Sequence, residues 1–178
     1  MNWRHIPIVL LATLVTYILH EGAHWAMGEA LGYDMWMKIN SVGLARGGYS
    51  AEWHGQLVGA AGPLMTVLQG LVSFILVRKY KTAPVFAFLF AAFMMRFTAM
   101  LISLKSPNDE AGVSEWLGLG PWTLHIMVVA LLLFLTLRGG KVLKLSWRAY
   151  GFAYLVVSIA ITAIVLGEPH LPVFNIYV

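Results

Sequence analysis

Cysteine is absent from the 178-residue chain, which excludes disulfides, thiol nucleophiles and thiolate metal ligands. Any metal must therefore be held by imidazole and carboxylate groups. Charge is also scarce: Asp, Glu, Lys and Arg make up 11% of residues, against roughly 25% in an average soluble domain. Internal repeats and low-complexity tracts are missing. With 60% hydrophobic residues, what remains is a succession of apolar runs of about 20 residues, the length that crosses a hydrocarbon core about 30 Å thick. The gaps between runs leave no room for a separate soluble domain.

The runs lie at about 6–31, 55–77, 83–104, 121–137 and 147–166. They predict an all-α polytopic membrane protein of about five transmembrane helices, forming one domain over 1–178. Arg4 before the first run imitates a signal peptide, but the run is too long and has no clear small-residue cleavage site, so it reads as an uncleaved span. Gly32 supplies its stop. Beyond it, Met35, Met37 and Ile39 alternate with Trp36, Lys38 and Asn40, and Gly43, Gly47 and Gly48 offer turns. This period of two predicts a short membrane-associated β-hairpin over about 34–53, with Trp36, Tyr49 and Trp53 at the lipid–water interface.

The second span contains Gly55-x-x-x-Gly59 and Gly62-Pro63, which allow close helix approach and a bend. Arg96 in the third span calls for a carboxylate partner or for snorkelling to an interface, and His125 in the fourth for hydrogen bonds within the bundle. Between these spans, 105–120 is polar and acidic.

One stretch carries chemistry. His20-Glu21-Gly22-Ala23-His24 lies two-thirds of the way along the first run. On a helix, positions i and i+4 share a face, so His20 and His24 can present two imidazoles to one metal, and the adjacent Glu21 can act as general base toward water. Ionisable groups within a span cost about 2.5–3.5 kcal/mol each on translocon scales and persist there mainly for function. Zinc held by two histidines needs a further protein ligand. Candidates on the same side of the membrane as the open end of the motif are Glu52, His54, Asp109, Glu110 and Glu115. Ser106-Pro107-Asn108-Asp109 also fits a helix start capped by Ser106, with no metal involved.

This constellation resembles the site-2 protease family of intramembrane zinc metalloproteases. The likeness rests on the HExxH in a membrane helix, a glycine-rich hairpin-like segment after it, Gly62-Pro63 in the next span and Asn108-Asp109 about 85 residues beyond the motif. It covers about residues 6 to 120. Two features depart from the family pattern: Thr66 stands where an Asn is usual, and no Leu-Asp-Gly surrounds the third acidic position. The resemblance implies that His20, His24 and Asp109 bind Zn²⁺, that Glu21 activates water, and that a peptide bond in or near a transmembrane segment of a membrane-protein substrate is cut. Asn108, Gly62, Pro63 and His54 are the expected substrate-positioning residues, and the hairpin edge could hold an unwound substrate by strand addition. Two alternatives stand beside this reading, a metal-binding membrane transporter and a catalytically silent homologue that binds membrane proteins.

The formal charge of +4 bears on orientation. With five alternating spans, Arg4, Arg78, Lys79, Lys81, Arg138, Lys141, Lys144 and Arg148 share one side, and Lys38, Arg46 and Lys105 the other. Basic residues in short loops follow the positive-inside rule, which points to a cytoplasmic N-terminus and away from nucleic acid as a partner. The family resemblance implies the opposite, a site facing the cytoplasm.

Overall fold

In hydrocarbon every backbone N–H and C=O must be paired within its own segment, so long apolar runs become helices. The protein is described by a computed structural model covering residues 1–170 and Val173. A 3₁₀ turn at Trp3–His5 leads into α1 (Ile6–Ala30); the hairpin strands β1 (Met35–Met37) and β2 (Val42–Leu44) follow, then α2 (Glu52–Tyr80) and α3 (Ala83–Ile102). A short α4 (Asp109–Trp116) precedes α5 (Thr123–Val142) and α6 (Trp147–Gly167), with a last 3₁₀ turn at Glu168–His170. Among the described residues five helices, all but α4, are long and apolar enough to cross a membrane. The chain has the architecture of a multi-pass membrane protein: a helical bundle with one antiparallel hairpin after the first helix.

Helix ends differ from the hydropathy limits because hydrogen bonding does not stop where apolar residues do. Helix α2 starts at Glu52 instead of Gly55 and continues through the polar Arg78 and Lys79, ending where Lys81 turns left-handed at φ 51°. Helix α5 runs on past Leu137 through Arg138 and Lys141 to Val142. At the end of α1, Leu31 caps the helix and Gly32 takes φ +84°, a conformation that favours glycine.

The most enclosed span is α3, which packs against α1, α2, α5 and α6. Its Phe86, Leu89, Phe90 and Met94 form the centre of the apolar core with Leu132 of α5 and Val157 of α6. The buried stripe of α1 is Val9, Ala12, Thr13, Thr16, Tyr17, His20, Glu21, His24 and Gly28, a run at steps of three and four. It passes from apolar to polar along the helix. Gln69 of α2 secures the middle of the bundle, donating to Thr16 Oγ1 at 2.7 Å and to the Phe88 carbonyl at 3.1 Å.

The hairpin pairs Met35 with Leu44, Trp36 with Gly43 and Met37 with Val42. Met35 is buried against Gly28, where a Cβ would come within 2.5 Å of its sulfur, and the Met35 N–H donates to Glu29 Oε1 at 2.9 Å. The turn of the hairpin is held from the other end of the chain: Ser41 and Asn40 donate to the two carboxylate oxygens of Glu168, Asn40 at 3.4 Å.

Candidate metal centre

The polar end of the α1 stripe meets α2, α3 and α4. His20 and His24, one helical turn apart, stand with ring centroids 4.6 Å apart and planes nearly perpendicular. Their Nε2 atoms are 3.1 Å apart, and Asp109 Oδ2 lies 3.2 Å from the first and 3.4 Å from the second. Ligand atoms at about 2.0–2.1 Å from a tetrahedral zinc are separated by about 3.3–3.4 Å, so the triangle has the dimensions of one face of such a site. Among the described residues this is the group able to hold a metal ion.

Hydrogen bonds on the far side of each ring fix which nitrogens face inward. His24 Nδ1 is 2.6 Å from the Val58 carbonyl, which can only accept, so Nδ1 carries the hydrogen and Nε2 the lone pair. His20 Nδ1 is 3.1 Å from Thr66 Oγ1, whose hydroxyl donates to the Gly62 carbonyl and therefore accepts from the ring. Two imidazole lone pairs and a carboxylate oxygen thus converge with no hydrogen to share between them. Such a donor set suits a cation; imidazole and carboxylate together are ligands of zinc, iron and other divalent transition metals.

The centre is accommodated by a missing side chain. A Cβ on Gly62 would run into His24 Nε2 and would lie 2.5 Å from His20 Cε1. Asp109 is the first residue of α4, with Asn108 as N-cap; the capping arrangement built on Ser106 is not formed. An acidic residue in the first turn is favoured by the helix dipole.

Behind the triangle lies a buried ion pair. Arg96 of α3 is 3% exposed and Glu110 is 2% exposed, with Nη1 to Oε1 at 3.0 Å. The expected carboxylate partner of Arg96 is therefore Glu110, whose oxygens face Arg96 and His125 and leave the histidine pair to Asp109. Arg96 also reaches the centre: Nη1 is 3.7 Å from Asp109 Oδ2 and Nη2 is 3.3 Å from His20 Nε2. His125 is buried in the bundle, but neither ring nitrogen has a hydrogen-bond partner among the described residues; Glu110 Oε2 stands 3.8 Å away.

A cavity of about 500 Å³ opens in front of the centre, lined by Glu21, Arg96, Asn108 and Asp109 and also by Ser41 of the hairpin and Val165 of α6. Asn108 donates to the Ala99 carbonyl at 2.9 Å, and its Oδ1 is buried without a partner among the described residues. Pro63 is not part of this cavity; it lines a smaller apolar pocket on the other side of Asp109 with Leu64 and Val113. His54 sits apart, at the start of α2, with Nδ1 2.5 Å from the Tyr33 hydroxyl and its ring against Trp53. Glu52 and Glu115 are likewise outside the group able to hold a metal.

No protein-family model, curated protein or solved structure matches this chain.

Proposed function

We propose that the protein is an intramembrane zinc metalloprotease that hydrolyses a peptide bond in or near a transmembrane segment of a membrane-protein substrate. The observation that carries this reading is the convergence of His20 Nε2, His24 Nε2 and Asp109 Oδ2 on one point inside the bundle, beside a cavity that Glu21 also lines. A zinc ion held by these three atoms would supply Lewis acidity, making water nucleophilic near neutral pH and polarising a carbonyl.

The chain's own residues do the rest. Glu21 is one residue from a ligand and faces the cavity without a partner of its own among the described hydrogen bonds, so it can take a proton from water and pass it to the leaving amine. Thr66 and the Val58 carbonyl hold both imidazoles in the tautomer that a metal requires. Asn108 offers an unpaired carbonyl oxygen that can accept from the N–H of an extended substrate backbone. A helical substrate must unwind before its peptide bond can be attacked, and the short strands at the cavity mouth offer an edge for the extended form. Basic-residue distribution supports a cytoplasmic N-terminus, which would direct the cavity, the hairpin and α4 to the external face.

Metal analysis and turnover of purified protein test the proposal. Wild type should carry about one zinc per chain; His20→Ala should lose both zinc and proteolysis, and Glu21→Gln should keep zinc and lose proteolysis. Zinc retained in His20→Ala overturns the site. A Glu21→Gln protein that alters ion flux through vesicles, with no peptide cleavage in wild type, points to a transporter instead.

A further inference from the structure

A buried arginine in a membrane helix is accounted for once a carboxylate neutralises it, and Glu110 does this for Arg96 with Nη1 at 3.0 Å. That pairing leaves two N–H bearing nitrogens to explain. Nε is buried without a partner among the described residues, and Nη2 lies 3.3 Å from His20 Nε2. This acceptor is provisional. The other ring nitrogen of His20 is committed to Thr66, so Nε2 has a single lone pair, and a metal held by His20 takes that same lone pair. Once the centre is loaded, the Arg96 N–H must find another acceptor, and Arg96 lines the cavity.

We propose that Arg96 is a catalytic residue of the protease proposed above, donating to the oxygen of the scissile carbonyl as negative charge builds on it, with Glu110 as the positioning residue that fixes the guanidinium. The inference rests on the protease reading. In the attack, the water oxygen bonds to the carbonyl carbon, the π pair moves to the carbonyl oxygen and Glu21 takes the water proton. On collapse the pair returns, the C–N bond breaks and the amine nitrogen takes the proton from Glu21. Charge is concentrated on the former carbonyl oxygen between these events. A fixed guanidinium lining the cavity stabilises that charge without having to reorient, an effect on the order of 10²–10³ in rate for one such donor. Glu110 supplies the fixity: its own carboxylate is 2% exposed and comes from α4, whose first residue is Asp109.

The test uses full-length, zinc-loaded protein in detergent and two inhibitors. A phosphinic leucyl peptide presents a tetrahedral anion with one oxygen free for Arg96; mercaptoacetyl-leucine binds through sulfur and presents no such oxygen. Arg96→Met should weaken the phosphinic peptide on the order of 10²-fold, change the thiol less than about threefold, keep zinc, and lower kcat with KM little altered. Because Arg96→Met leaves Glu110 unpaired, the double variant Arg96→Met/Glu110→Gln serves as the folding control, with the same shift in inhibitor ratio expected. Arg96→Lys should recover part of the phosphinic affinity. An unchanged inhibitor ratio in variants of a protein that binds zinc and cleaves a transmembrane reporter overturns the role of Arg96 alone. Loss of zinc from both Met variants would make Arg96 a structural support of the centre and also overturns it. A wild-type protein that holds zinc yet binds neither inhibitor and cuts nothing overturns the protease reading together with this one.

Discussion

His20 Nδ1 lies 3.1 Å from the Thr66 hydroxyl, and that hydroxyl is committed as a donor to the Gly62 carbonyl. The α2 backbone therefore dictates, through one side chain, which nitrogen of His20 faces the centre. Thr66→Val keeps the shape and removes the acceptor, and it should weaken zinc binding about 10–100-fold, read by competition with a chromogenic chelator. Thr66→Ser should stay within a few-fold of wild type. Equal affinity in all three proteins would detach Thr66 from the site.

Gly62→Ala is expected to be more damaging than its size suggests. In an exposed helix the change would add up to about 1 kcal/mol of stability. Here the new methyl meets both imidazoles, so zinc should be lost while the helical circular dichroism is retained. A Gly62→Ala protein with one zinc per chain would show that the rings can retreat.

Removing one partner of the Arg96–Glu110 pair leaves a buried charge uncompensated. Glu110→Ala should destabilise the bundle by about 3–5 kcal/mol, and Arg96→Met/Glu110→Met should recover most of that loss. Denaturant unfolding in detergent micelles measures both. Additive losses in the double variant would mean that the two residues do not act as a pair.

Glu168 ties the hairpin turn to the end of α6. Glu168→Ala should raise amide hydrogen exchange around Asn40–Val42 while zinc content stays at the wild-type value. Protection that persists at Lys38, whose N–H donates to the Ser41 carbonyl at 2.8 Å, would indicate that the hairpin holds itself.

The absence of native cysteine makes orientation simple to measure. Single cysteines at Ser50 and Lys79, both exposed, are expected to be modified by a membrane-impermeant maleimide only at position 50 in intact cells. Modification only at position 79 reverses the orientation.

The spans and the existence of the hairpin were legible in the sequence because a long apolar run in lipid must be helical and the alternation after Met35 favours a strand, though the strands extend only over Met35–Met37 and Val42–Leu44 and the expected hairpin end at 53 falls inside α2. The His20–Glu21–His24 spacing was equally legible, since it is a local property of one helix. Long-range partners were not. Thr66 looked like a departure from a family pattern, and only the crossing of α1 with α2 brings it to His20, 46 residues earlier. Glu110 read as one of several candidate third ligands in a polar, acidic segment; it is buried instead against Arg96 because α4 folds back against α2 and α5. His54, close in sequence to the second span, is drawn instead into the Tyr33 and Trp53 cluster.

His20 and Asp109 are 89 residues apart, and between them lie the hairpin and two further spans. A ribosome adding about 5–20 residues per second needs roughly 4–18 s to make that interval. Throughout it the nascent chain carries two imidazoles and the Glu21 carboxyl but lacks the third corner of the triangle, and α5 and α6 have yet to emerge. If the chain is the protease proposed above, other membrane proteins maturing at the same translocon would thereby be spared: the chain would gain the means to hold an ion only after three of its five spans had been made.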